Sequence, residues 1–220
     1  MQIERKKSIR EQVYNYLKEE IVSGRIEEGS RIVEKEFTLK LNVSRTPLRE
    51  AIRMLELEGL IEARKKGGVA VPKTTKKDIE EVIKIRIALE KVIFLEIFQK
   101  ITENDIVKLE KNIVKTDLII HDEKKFLSVF KYFSQFNKII YEVANLPRVV
   151  SLIDNLNLYL KKFRKISIEN KDRRLNAHRD HVKMVEFLKT NRKVEIIDLN
   201  KRHLLEAKEF LIKEIELLEK

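Results

Sequence analysis

Apolar residues recur along this chain mostly three and four apart, the spacing of one face of a helix. Ile9, Val13, Tyr14, Leu17 and Ile21 predict an amphipathic helix over 8–23, and Gly24 behind it is a natural stop. Gly29 marks a second turn, and 33–41 reads as a short helix. Asn42 and Val43 form a turn, and Ser44 is placed to cap the helix that follows. That helix carries Leu48, Ala51, Ile52 and Leu55 on one face and ends at Gly59. The period then changes: 60–64 and 69–71 around a Lys65-Lys66-Gly67-Gly68 tip read as a β-hairpin.

Beyond residue 73 the helical period runs almost unbroken. It predicts six helices, at about 76–100, 103–120, 123–144, 147–167, 169–189 and 193–219, each with an apolar face and so packed as an antiparallel bundle. Thr102 with Asp105 is a capping pair, and 145–147 and 190–192 are the clearest breaks. All five glycines, and Pro47 and Pro72, precede residue 73; Pro147 alone follows. The fold class is therefore mainly α. Residues 1–73 make a winged helix-turn-helix with a small β-hairpin wing, and 74–220 an all-helical bundle.

Composition narrows the possibilities. With 43% hydrophobic and 38% charged residues the chain reads as a soluble globular protein, and it contains no cysteine, which excludes disulfides and thiolate metal sites. The polar start has no apolar core of a secretory signal, and runs such as 92–95 are far too short to span a membrane, so a cytoplasmic location is expected. The formal charge of +11 suits an anionic partner. Residues 1–73 hold 16 Lys+Arg against 12 Asp+Glu, and the remainder 31 against 24, so the excess is spread along the chain and argues only weakly for nucleic acid.

Placement argues better than charge. A capped helix that enters the major groove by its N-terminus presents its first residues to bases and phosphates. Here these are Ser44, Arg45, Thr46 and Arg49, while Leu48, Ile52 and Leu55 face inward. Arginine suits bidentate contact to guanine as well as phosphate. Arg53, one turn on, either joins them or pairs with Glu50 or Glu56. Lys65, Lys66 and Gly67 at the hairpin tip offer charge and close backbone approach. Pro47 and Ala51 are structural.

The string from Val43 to Ile61, VSRTPLREAIRMLELEGLI, resembles the signature of GntR-family regulators, and 21–29 matches their helix, Gly, short stretch, Gly pattern. The resemblance covers roughly 8–72 and implies DNA contacts at Lys35, Arg45, Thr46, Arg49 and the wing glycine. Lys35 stands where some relatives carry Arg, implying a less directional phosphate contact.

The second half resembles the helical ligand-sensing domain called FCD. Arg86 to Glu90, 136–148, Asp180-His181 and His203 carry that likeness. Spacing adds an independent point. His181 lies on the apolar face of one helix and His203 on that of the next, equidistant from the break at residue 192, so an antiparallel hairpin brings both imidazoles to one level. Such a pair could ligate a divalent metal or be two core histidines satisfied by hydrogen bonds or an effector. The resemblance implies that Asp and His at i and i+4 on the middle helix would complete a metal site. The matching positions here are Phe133 and Asn137, which leaves the site incomplete unless His178 supplies a third ligand. Without a metal the hollow is less charged and flanked by Phe133. It would then take a partly apolar effector, or one gripped by Arg86 or Arg148, although Arg86 could instead pair with Glu90.

The expectation is a regulator that is not an enzyme: four histidines, no cysteine and no glycine-rich loop after residue 73 offer little for catalysis. The resemblance implies a homodimer on a palindromic double-stranded DNA operator, with half-sites about one DNA turn (~34 Å) apart. It also implies a small effector in the helical domain controlling operator affinity. Metal control through His181 and His203, or constitutive DNA binding with a degenerate pocket, are the alternatives.

Overall fold

A computed structural model describes residues 8–65 and 67–218. The chain divides into two compact units, the first ending at Thr74 and the second beginning at Thr75. The first unit holds α1 (Ile9–Val22), β1 (Arg31–Ile32), α2 (Glu34–Leu41), α3 (Arg45–Leu57), β2 (Glu62–Ala63) and β3 (Val69–Ala70). Ser8 and Glu11 close α1 with a reciprocal capping box. Leu17, Leu48, Ala51 and Leu55 are fully buried where α1 packs on α3. Asn42 takes the left-handed conformation (φ 50°) between α2 and α3, a state that Asn tolerates better than most residues.

The pattern predicts two strands here and the structure has three. The sheet order is β1-β3-β2, all antiparallel, with Arg31 opposite Ala70 and Glu62 opposite the same Ala70. Two residues are too few to show a period, so β1 is invisible in the sequence. Its pairing is extended by Gly29 N–H to the Val71 carbonyl (2.8 Å) and Val71 N–H to the Ser30 carbonyl (3.0 Å).

The second unit is all helix: α4 (Lys76–Ile97), α5 (Glu103–Asp117), α6 (Phe126–Ala144), α7 (Pro147–Tyr159), α8 (Lys161–Glu169), α9 (Lys171–Lys189) and α10 (Lys193–Leu218), with a 3₁₀ turn Glu123–Lys125 before α6. Capping boxes start α4 at Thr75/Asp78 and α5 at Thr102/Asp105. Asn145 (φ 51°) ends α6, Pro147 opens α7, and Asn191 (φ 55°) turns the chain between α9 and α10. The helix expected over 147–167 is in fact two. It breaks at Leu160, which no Gly or Pro marks. Leu160 is fully buried with Ile79 and Ile83 of α4 and Leu204 and Leu211 of α10, so packing decides the bend. Asn170 then caps α9, its Oδ1 accepting from the Arg173 N–H at 3.0 Å. The main core gathers Ile93, Phe136, Ile140, Met184, Leu188 and Ile196, among others, from α4, α6, α9 and α10.

Candidate functional site

The first unit presents one face of polar side chains. Arg45, Thr46 and Arg49 are exposed along the start of α3, opposite its buried Leu48 and Ile52. Ser44 stands at the N-cap, yet its hydroxyl makes no capping bond. The expectation of a serine-capped helix thus holds for the position and not for the bond. The hydroxyl and the first amide groups of α3 are left available, and a helix N-terminus favours an anion by its exposed N–H groups and dipole. Lys35 and Arg53 are exposed too, and among the described residues no ion pair joins Arg53 to Glu50 or Glu56.

Arg49 is held rather than loose. Its Nε donates to both oxygens of Glu34, at 3.0 and 2.9 Å, while the side chain stays 58% exposed. Glu34 opens α2, so this bond ties the two helices of the motif. At the wing, Gly67 has φ +81°, which a side chain rarely adopts, and its N–H reaches the Arg64 carbonyl at 2.9 Å. Lys65 is exposed there; Lys66 lies outside the described residues. Arg31 of β1 approaches Gly68 so closely that a Cβ would sit 3.1 Å from its Nε. Sequence reasoning missed Arg31 and Glu34 because their roles depend on a strand pairing and a helix contact that leave no local period.

In the second unit, α9 and α10 bring His181 and His203 to one level, with ring centroids 5.4 Å apart. Phe136 stacks on His181 at 4.3 Å and Phe133 meets it edge-on at 4.6 Å. Burial, with the nearby charges of His203 and His178 adding to it, pushes the His181 imidazole well below its usual range. His203 is also lowered by burial, against the opposing hydrogen bond to Asp180 (Nδ1 to Oδ2, 3.0 Å). A neutral His203 therefore donates through Nδ1 and keeps its lone pair on Nε2.

The residues present do not compose a metal site. His178, the conceivable third ligand, directs Nε2 to Asp117 Oδ1 at 2.6 Å. Phe133 packs edge-on against His181, and among the described residues no three His, Cys, Asp or Glu side chains are grouped to hold a metal.

A small hollow of about 60 Å³ adjoins the histidines. Arg86, Phe133, Asn137, His181 and His203 all line it, as the pattern suggested. One expectation, at Arg148, needs correction, and at Arg86 the structure takes one of the two readings left open. Arg148 is exposed at the start of α7 and does not line this hollow, because Pro147 begins the helix with Arg148 turned outward. Arg86 reaches the wall but its charge is already used. Its Nε and Nη2 donate to Glu90 Oε1 at 3.1 and 2.6 Å. Tyr141 and Asn200 also donate to Glu90, at 3.2 and 3.0 Å. Burial alone would raise the Glu90 carboxyl, but the Arg86 charge overrides it and holds the group low. Arg164 and Arg173, which the sequence reading passed over, line the hollow as well. Arg164 sits on α8, just past the unforeseen break, so its inward direction could not be read.

A winged helix-turn-helix with exposed arginines on α3, followed by a helical unit with an internal hollow, is the architecture of a two-part bacterial regulator. Residues 9–71 match the family model for bacterial regulatory proteins of the gntR family, and residues 81–206 match the FCD domain. The chain belongs to the GntR family of transcription regulators, in its FCD-bearing form. It is 28% identical over 194 residues to an uncharacterized HTH-type transcriptional regulator, YdhC, of Bacillus subtilis (strain 168), covering 88% of this chain and 85% of the relative. It is also 28% identical over 162 residues to the HTH-type transcriptional repressor RspR of Escherichia coli (strain K12), covering 74% and 71%. Among solved structures, E. coli McbR/YncC superposes with a TM-score of 0.75 at 20% identity, over 96% of this chain and all 100% of the other, a likeness of fold. No helix among the described residues is long and apolar enough to cross a membrane.

Proposed function

We propose that this chain binds a double-stranded DNA operator through α3 and the wing, and that a small effector in the helical unit sets its operator affinity. The observation that carries the reading is the exposed row Arg45, Thr46 and Arg49 beside the uncapped Ser44 at the start of α3. Such a row presents charge and fork-shaped donors where a helix enters the major groove. The kinship with a protein named as a repressor supports operator binding. A homodimer on a palindromic site accords with the exposed apolar stripe Ile85, Val92 and Leu95 along α4, which a second copy would cover. Effector binding changes operator affinity by as much as the effector prefers one arrangement of the dimer over the other.

The test uses a DNA site enriched from a random library on the full chain. Arg49→Ala should lose at least tenfold in affinity for that site while its circular dichroism and sedimentation stay those of the parent. Unchanged affinity would refute the assignment of α3.

A further inference from the structure

The cations around α3 and the wing are not all alike. Lys35, Arg45, Arg53 and Lys65 are exposed, and among the described residues none of them has a carboxylate within ion-pair distance. Arg49 does: its Nε donates to both oxygens of Glu34, at 3.0 and 2.9 Å. Nε makes that contact alone. Nη1 and Nη2 have no hydrogen-bond partner among the described residues, and the side chain is 58% exposed.

A guanidinium is a planar fork with two usable edges. One edge joins Nε to a terminal nitrogen, and the other is the end formed by Nη1 and Nη2. With the carboxylate on Nε, the first edge is blocked and the end is left to point outward. Glu34 is itself well placed to stay there. It is the first residue of α2, whose N-cap Val33 makes no side-chain capping bond, so the amide groups and dipole of the helix start favour its negative charge. The packing of α2 on α3 then fixes where that charge stands relative to Arg49.

We infer that Glu34 is a positioning residue that sets DNA specificity: without touching DNA it holds Arg49 end-on to a guanine, and its charge turns phosphates away from that arginine. The inference rests on the operator reading above and deepens it. Three physical points carry it. The free end of the fork offers two parallel N–H groups, which match O6 and N7 of guanine in the major groove. The Glu34–Arg49 pair is neutral as a whole, so it gains little from the phosphate backbone, and the backbone supplies the sequence-independent part of DNA affinity. Its hydrogen bonds to a base edge are kept. Finally, an arginine already held loses less rotamer freedom when it meets its base. Arg45, with no carboxylate beside it, attracts any duplex; Arg49 with Glu34 favours one that presents O6 and N7 in the right place.

The experiment measures the full chain by fluorescence anisotropy on two duplexes of equal length and composition: the site enriched from a random library, and a scrambled sequence. 7-Deazaguanine, which lacks the N7 acceptor, replaces each guanine of the site in turn. At one position it should weaken the parent at least fivefold, and Arg49→Ala should not feel that replacement. Glu34→Ala should bind the site at least tenfold more weakly and the scrambled duplex no more weakly than the parent does. It should also lose the sensitivity to 7-deazaguanine. That loss couples Glu34 to a base atom it does not touch, which a general loosening of the unit would not produce. Glu34→Gln keeps an acceptor for Nε and removes the charge. It should bind the scrambled duplex more tightly than the parent does, with a salt slope steeper by up to about 0.9, and it gives the answer if Glu34→Ala does not fold. Equal losses on both duplexes in a folded Glu34→Ala overturn the inference and leave operator binding by α3 standing. So does undiminished sensitivity to 7-deazaguanine, a parent indifferent to it at every guanine, or scrambled-duplex binding that Glu34→Gln leaves unchanged. A parent that enriches no site, or an Arg49→Ala that binds the site as tightly as the parent, overturns the operator reading and this inference with it.

Discussion

Among single side chains, Glu90 and Arg86 show how a buried charge is kept in this fold. The two lie four apart on α4, both about 5% exposed, and Glu90 receives further hydrogen bonds from Tyr141 and Asn200. Removing one partner strands the other in a low-dielectric interior. Glu90→Ala should therefore cost about 3–5 kcal/mol, the usual range for breaking a buried pair. Urea unfolding reads it, and a loss under about 1 kcal/mol would mean that Arg86 finds water. The contrast is Glu34 with Arg49, an exposed pair whose stability contribution is about 0–1 kcal/mol. Its interest is in aiming Arg49. The i,i+4 pairing of Arg86 and Glu90 was readable beforehand as one of two options. The partners 51 and 110 residues away, which make it the right one, were not.

At the scale of elements, the α9–α10 hairpin does what its spacing promised and brings His181 level with His203. That placement makes stability depend on pH. Burial lowers both imidazoles in the folded chain, His181 more strongly, whereas the unfolded chain titrates near about 6.5. Below that value the unfolded state binds more protons than the folded one, so stability falls as pH falls, and above it this contribution is flat. The slope approaches about 1.4 kcal/mol per pH unit for each histidine while it stays neutral in the fold. The melting temperature should accordingly drop between pH 6.5 and 5, and His181→Gln should flatten the drop; an equal drop in the variant would locate the effect elsewhere. Boundaries were read well where chemistry is local. Asn42, Asn145 and Asn191 sit at turns with positive φ, and Thr102 with Asp105 caps α5. They were misread at Leu160, where a distant cluster and no local residue sets the bend.

For the whole molecule, a charge of +11 spread along the chain says less than its use at one surface. If operator binding engages about six phosphates, log affinity should fall against log salt with a slope of roughly −5. Fluorescence anisotropy across salt concentrations measures it, and a flat response would remove DNA from the account. What the amino-acid order by itself determined is whatever depends on neighbours within a turn or two: the amphipathic helices, the asparagine and glycine turns, the family signature around α3, and the shared level of two histidines on adjacent helices. Tertiary structure alone decided the third strand, the bend at Leu160, and the gathering of Arg86, Arg164 and Arg173 around one hollow. The physical reason is range. Periodicity and capping are energies between residues a few positions apart, whereas strand pairing, packing bends and charge compensation arise between groups that only the completed fold brings together.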